Sequence, residues 1–536
     1  MIITANLIDI HTNSIYPAEI EINGNKIYSI KKTSQKSEQY ILPGFVDAHV
    51  HIESSMLVPT EFARLAVVHG TVATISDPHE IGNVLGVQGV EFMIENGKQS
   101  PFKFYFGAPS CVPATAFETA GAVIDVTDVD YLLSKPEIKY LAEMMNWPGV
   151  LYKDQEVYQK IELAKKHNKP VDGHAPGLMG DDAKNYIAAG ISTDHECFTE
   201  KEALGKLQHG MKILIREGSA AKNFEALVNL IPEHYGSMMF CSDDKHPDSL
   251  VDGHINNLIK RALQKKIDLF KILRVACYNP VQHYKLDVGL LREGDNADFI
   301  IIDNPTDFNI LKTFINGALV AENGKSKLKS IPCTPINNFH ATPIDKKDLE
   351  VTHTTNPIAA IEVIDGELIT NRLDIAPTVV NNLNVSDTSK DLLKIVVVNR
   401  YSKAKPAVAF IKNFQLQEGA LASSVAHDSH NIIAVGVDDD SIAQAINLII
   451  KQKGGISAVS KKQEKIIPLP VAGLMSDGDG YRVATDYIEI DKMVKAMGSK
   501  LLSPFMSLSF MALLVIPSIK LSDLGLFDGK KFEFLK

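Results

Sequence analysis

The sequence predicts an α/β protein. Its first half reads as a (β/α)8 barrel of the TIM type, joined to a small β-sandwich and followed by a separate C-terminal α+β domain. Three observations carry this expectation. Eight short apolar segments alternate with helical ones between residues 45 and 285, the rhythm of parallel strands linked by crossover helices. β-rich patches stand at both flanks of that segment. Past residue 345, after a stretch carrying Pro332, Pro335 and Pro343, strands and helices resume.

Residues 1–44 read as short strands. Ala18-Glu19-Ile20-Glu21-Ile22 alternates apolar and acidic side chains, Asn23-Gly24 turns the chain, and Lys26 to Ile30 returns. Asn-Gly between alternating segments is a strong hairpin signal. A matching patch lies downstream, with a strand over Ala297 to Asp303 and a second hairpin from Phe314 to Val320. One small β domain built from 1–44 and 286–330 is the economical arrangement.

The barrel is expected over 45–285. Its strand candidates fall near 45–52, 71–76, 102–107, 139–145, 169–173, 190–195, 211–215 and 237–241. Helices lie between most of them, for example Val157 to His167 and Gly253 to Gln264. Polar residues cluster just after the strands, and enzymes on this fold work at the C-terminal ends of their strands. Lys325 to Asp345 reads as a linker. The domain at 345–536 has strand candidates at Thr378 to Ser386, Leu392 to Val398, Ala407 to Ile411 and Ile432 to Val437, and a helix from Ser441 to Lys453.

Composition narrows the function. The 536 residues are 45% hydrophobic and 22% charged, with a net charge of −10. That is globular composition. An acidic chain with no run of Lys or Arg is not expected to bind nucleic acid. The five cysteines are odd in number, scattered, and form no Cys-x-x-Cys pair, which argues against a disulfide framework and against a cysteine-rich zinc site. The first Lys is Lys26, so no basic leader region is read, and a cytoplasmic location is expected. Leu502 to Ile519 is apolar but broken by Pro504, Pro517 and four serines, so no membrane span is expected.

The chemistry centres on Leu42-Pro43-Gly44-Phe45-Val46-Asp47-Ala48-His49-Val50-His51. Side chains alternate along a strand, so His49 and His51 share a face, about 7 Å apart, and can reach one divalent metal. Glu143 lies in strand four, His174 follows strand five, His195 follows strand six and Asp243 follows strand eight. Each alone could be structural: a buried carboxylate paired with Arg, a loop or surface histidine, a helix cap. Together they converge on one cavity of a closed barrel. Four histidines, one Glu and one Asp suit two divalent metals with room for a shared water. Imidazole and carboxylate without thiolate suit Fe(II), Mn(II) or Zn(II).

The motifs around these positions resemble the amidohydrolase superfamily, and within it the branch that deaminates adenine. They are residues 43–56 (Pro-Gly-Phe-Val-Asp-Ala-His-Val-His-Ile-Glu-Ser-Ser-Met), Asp-Pro-His-Glu-Ile at 77–81, Gly-His-Ala-Pro-Gly at 173–177, Thr-Asp-His-Glu at 193–196 and Asp-Asp-Lys-His-Pro-Asp at 243–248. In the C-terminal half they are Ser424 to Asn431, Leu469 to Ser476 and Pro517 to Asp528. The resemblance implies hydrolysis of adenine to hypoxanthine and ammonia, with a water made into hydroxide between two metals attacking C6 of the purine. It implies His49, His51 and Asp243 on one metal, His174 and His195 on the other, and Glu143 as the bridge. Asp243 would move the proton, and iron or manganese is favoured over zinc. Relatives that open hydantoin or dihydroorotate commonly bridge with a carboxylated lysine from strand four, where this chain offers Glu143.

Glu53, Asp77, His79, Glu80 and His246 are candidates for holding the purine, with metal-site support or helix capping as the alternative. His427 and His430 sit three apart, as zinc ligands can, but read as a structural turn or a lid contact. The partners expected are a small purine and water, in a homo-oligomer of two or more chains. Other readings are an amidohydrolase acting on a cyclic amide or related purine, a deacetylase, or a barrel kept only as a scaffold. A cytidine-deaminase mechanism is disfavoured: His51-x-Glu53 matches its His-x-Glu, but Pro-Cys-x-x-Cys is absent.

Overall fold

The structure, a computed structural model, describes residues 1–354 and 356–535. Eight parallel strands form the barrel: β1 (Phe45–His51), β2 (Thr71–Ser76), β3 (Lys103–Ala108), β4 (Ile138–Met144), β5 (Val171–Gly173), β6 (Thr193–Asp194), β7 (Lys212–Arg216) and β8 (Met238–Cys241). β1 to β5 pair in order, and so do β6 to β8. A bridge from Val171 to Ile191 joins the two runs. Pairing of Asp243 with Val50 and of Asp244 with His51 closes the circle. Every expected strand is present within a few residues of its place.

The strands form here because they are short, apolar runs covered on both faces. Thr71-Val72-Ala73-Thr74-Ile75-Ser76 is buried at all six positions, as a parallel strand between barrel interior and helices must be. Gly44 is needed at the entry to β1: a Cβ there would lie 2.3 Å from Val72 Cγ1. The helix expected at Val157–His167 runs from Gln155 to Lys166, because Asp154 caps it by accepting from Val157 N at 3.0 Å.

A buried polar knot holds β1 against β8. Asp47 accepts from Ser242 N at 3.0 Å, from Ser242 Oγ, and pairs with His254 Nε2 at 2.8 Å. Asp47→Ala would strand these donors in the core. It is expected to lower the unfolding free energy by about 3 kcal/mol, read from urea denaturation of the purified protein.

The flanking strands form one eight-stranded sheet. Its order is Lys325–Ser326, Ala318–Glu322, Ile310–Ile315, Phe299–Ile302, Tyr40–Pro43, Ile2–Asp9, Ser14–Asn23 and Lys26–Lys32. Ile20, Ile22, Ile41, Phe299 and Phe314 sit in its own apolar core. It meets the barrel at the start of its strands, where Gly44 N donates to Asp298 O and Lys103 Nζ pairs with Asp298 at 2.7 Å. The C-terminal ends of the strands are thereby left free for chemistry.

The C-terminal part covers those ends. Its sheet of eight strands has the order Thr370–Ile375, Ile358–Val363, Ala407–Lys412, Leu393–Val398, Ile432–Gly436, Ala420–Ser423, Gly455–Val459 and Glu464–Pro468. Helix Asp439–Gln452 is capped by Asp438, which accepts from Ser441 N at 2.7 Å. The single strand expected at 378–386 is instead two, Thr378–Val380 and Leu383–Val385. Asn381 and Asn382, at φ 48° and 63°, make the tight turn between them. The stretch read as a linker is tied down, since His340 N donates to Arg400 O at 2.7 Å and Phe339 is buried. Ser476 N donates to Met56 O at 2.8 Å, and Arg64 pairs with Asp479 at 2.7 Å, fixing the C-terminal part over the barrel mouth.

Candidate active site

The six residues expected to hold metal come together, each buried. The alternation of β1 brings His49 Nε2 and His51 Nε2 to 3.1 Å from each other. His51 Nδ1 faces the Asp77 carbonyl at 3.1 Å. A carbonyl only accepts, so in the neutral ring Nδ1 carries the proton and Nε2 offers its lone pair. On β4, Glu143 divides its oxygens between two sides. Oε1 is 3.3 Å from His51 Nε2, while Oε2 is 2.8 Å from His174 Nδ1 and 3.2 Å from His195 Nε2. Just past β8, Asp243 turns the backbone to φ 52°, a conformation Asp tolerates. That turn sets Oδ1 3.2 Å from His51 Nε2 and 3.5 Å from His49 Nε2.

This donor set fits divalent cations. Lone pairs and carboxylate oxygens converge, and the ring atoms His49 Nδ1 and His174 Nε2 are buried without a hydrogen-bond partner. The electrostatics agree. Burial opposes charge on His174, yet Glu196 and Glu143 raise it to about 9. His51 is also pushed up against burial, by Asp243 and Glu143. Against the same burial, His174 holds the Glu143 carboxyl well below its usual range, and Arg216 does so for Asp243. Groups that draw protons this way draw a dication when one is offered. His49→Ala or His51→Ala is expected to lower bound metal and abolish turnover with the fold intact, as read by metal analysis beside circular dichroism. Full metal content and activity in either variant would contradict the site.

The five purine candidates divide. His79 and Glu80 line the cavity beside the cluster, whose free volume of about 30 Å³ is water-sized. Glu53, Asp77 and His246 do not reach its wall. Glu53 accepts from Ile81 N at 3.2 Å, and burial raises its carboxyl to about 7. Asp77 accepts from His79 N at 3.1 Å and Glu143 N at 3.2 Å, tying the end of β2 to β4. His246 hydrogen-bonds Tyr487 Oη at 2.6 Å, and burial pulls it down to about 3. For these three the geometry matches support of the site.

Comparison with known proteins fits this arrangement. Residues 40–320 match the amidohydrolase family, and residues 367–533 match the adenine deaminase C-terminal domain. An adenine deaminase of Sulfurovum sp. is 54% identical over 534 residues, covering 99% of this chain and 98% of the relative. The chain belongs to the adenine deaminase family. A second member, from Methanosarcina mazei, is 52% identical over 542 residues, covering 99% and 98%. A solved β-aspartyl dipeptidase from Fervidobacterium islandicum AW-1 aligns at TM-score 0.46 and 14% identity, covering 61% of this chain and 99% of that one. Family and buried cluster together mark a metal-dependent enzyme of the amidohydrolase kind. Among the described residues no helix is long and apolar enough to cross a membrane.

One further residue of this cluster, Arg216, was not singled out from sequence. Arg216 ends β7 and is fully buried, with Nη1 2.7 Å from Asp243 Oδ2 and a fork onto Glu196. The signal was present: Lys212-Ile213-Leu214-Ile215-Arg216 closes an apolar barrel strand with a charge, at the end where the fold keeps its chemistry. His427 and His430 are more than a turn. Glu80 Oε1 accepts from His427 Nδ1 and Oε2 from His430 Nε2. The trio could be taken for another metal site. However, Ala426 N donates to His430 Nδ1 at 3.1 Å, so the proton of neutral His430 is on Nε2, facing Glu80. The cluster is satisfied as one carboxylate between two N–H donors.

Proposed function

We propose that this chain hydrolyses adenine to hypoxanthine and ammonia. The observation that carries the reading is the convergence of His49, His51, Glu143, His174, His195 and Asp243 at the barrel mouth, in a chain about half identical to adenine deaminases along its whole length. His49, His51 and Asp243 would hold one divalent cation, His174 and His195 a second, and Glu143 would serve both. Mn(II) or Fe(II) is favoured and Zn(II) is compatible with the ligand types. Such cations, when bound, supply water of near-neutral pKa and positive charge where oxyanion character develops.

The protein's part is to place water, base and ring. Asp243 Oδ2 is anchored by Arg216 at 2.7 Å, which leaves Oδ1 facing the water position among the histidines. Arg216 keeps Asp243 ionised, so Oδ1 is ready to accept a proton as the water oxygen bonds to C6. That proton goes to the exocyclic nitrogen, the C6–N bond breaks, and ammonia leaves. The water oxygen becomes O6, and the second proton of the water ends on the ring nitrogen beside it. Glu143, through its charge, holds the two halves of the ligand set together. His79, with Nδ1 3.3 Å from Asp77 and 3.4 Å from Glu143, stands on the cavity wall. A panel of adenine, adenosine, 6-substituted purines, hydantoin and dihydroorotate, assayed for ammonia and ring opening, tests the reading. Ammonia from adenine is expected. Turnover of a cyclic amide with none of adenine would replace it.

A further inference from the structure

His427 belongs to the C-terminal part of the chain, yet it stands on the wall of the barrel's cavity and is 2% exposed. Its Nδ1 donates to Glu80 Oε1. Nε2, across the ring, is buried without a hydrogen-bond partner. Asp244 Oδ1 lies 3.9 Å from it, beyond hydrogen-bonding distance. Buried polar atoms are nearly always paired, and one left open on a cavity wall is a place for a ligand atom.

The ring is held there from several sides. Glu80 accepts from His427 and His430 on different oxygens. His430 has its tautomer fixed by Ala426 N–H at 3.1 Å, and burial pulls it down to about 4, so it is a neutral donor. Despite burial, the two histidines hold the Glu80 carboxyl well below its usual range. Burial opposes charge on His427, but Glu80 and Asp244 raise it to about 9. Phe510 packs on the ring with centroids 5.3 Å apart.

We propose that His427 is a substrate-binding residue that donates Nε2–H to a ring nitrogen of the purine, and that Glu80 and His430 position it. The proposal rests on the adenine reading given above. The chemistry suits that ligand: a purine carries ring nitrogens with in-plane lone pairs on more than one edge, where a fixed N–H can meet them. The C-terminal part then supplies a specificity contact while the barrel supplies the metal ligands. Glu80 lines the cavity as an anchor, since both of its oxygens are already taken by the histidines.

The test compares the metal-loaded, full-length enzyme with His427→Asn. An Asn amide reaches the place of Nδ1, so the donor to Glu80 is kept and the Nε2 contact is lost. Each is titrated with adenine and with analogues in which one ring nitrogen at a time is replaced by C–H. Wild type is expected to bind one analogue about tenfold or more weakly than adenine, the effect of one lost hydrogen bond in a buried site. His427→Asn is expected to bind adenine more weakly by a similar factor and to make no distinction between adenine and that analogue. Its KM rises more than its kcat falls. Glu80→Gln, which can accept from only one of the histidines, is expected to lose the same distinction with metal content unchanged.

An unaltered ranking and affinity in His427→Asn, beside a wild type that deaminates adenine, overturns this proposal alone. A wild type that binds no purine overturns it together with the reading beneath it. If the variant does not fold, the wild-type enzyme crystallised with hypoxanthine decides. A ring nitrogen about 3 Å from His427 Nε2 supports the contact, and a purine seated with no ring nitrogen near it refutes it.

Discussion

Glu143→Gln is expected to cost ~100-fold or more in turnover, with loss of at least one bound metal. The carboxylate uses both oxygens at once, toward His51 on one side and toward His174 and His195 on the other. A bridge between two dications needs two anionic oxygens. Gln keeps the shape but offers one neutral oxygen and an NH2 group. That NH2 would face either the His51 side or the His174 and His195 side, where it repels a cation. The charge matters as much as the reach: with two cations bound, a negative Glu143 would offset part of their charge and leave a water there nucleophilic. Two metals per chain and near-normal turnover in Glu143→Gln would make Glu143 a structural carboxylate of β4.

Asp243→Asn is expected to lose ~1000-fold in kcat/KM. Arg216 decides how an Asn would sit. Its Nη1, 2.7 Å from Oδ2, needs an acceptor, so the Asn oxygen turns to Arg216. The Asn NH2 then takes the place of Oδ1, against His51 Nε2 and His49 Nε2, which stand 3.2 and 3.5 Å away. A donor there cannot take a proton from water and cannot ligate a cation. Proton acceptor and ligand are lost in one change, while the fold keeps its hydrogen bond to Arg216. Single-turnover kinetics with adenine, beside metal analysis, reads both losses.

Much of this was legible in the chain because barrel strands are local. Each is a short apolar run ending at the mouth, so His49, His51, Glu143, His174, His195 and Asp243, each open to a structural reading alone, could be gathered as one set. Arg216 obeys the same rule at the end of β7, but a charge at a strand end also reads as a helix-side contact. The pairing of Glu80 with His427 spans 347 positions, and nothing in either local pattern points to the other. The same holds for His246, whose partner Tyr487 is 241 positions away. Glu53 and Asp77 were placed correctly near strand ends, yet their side chains bond backbone N–H groups behind the wall. Which way a polar side chain turns at a strand end depends on the neighbours that arrive from other strands.

Two divalent metals in the buried cluster are expected to serve adenine hydrolysis. The most direct measurement is removal and return of metal. The full-length enzyme is stripped with a chelator, checked for retained fold, and titrated with Mn(II) while ammonia release from adenine is followed. The stripped enzyme is expected to be inactive, and activity is expected to rise and level off at two equivalents per chain. Undiminished ammonia release from the stripped, folded enzyme would contradict the account.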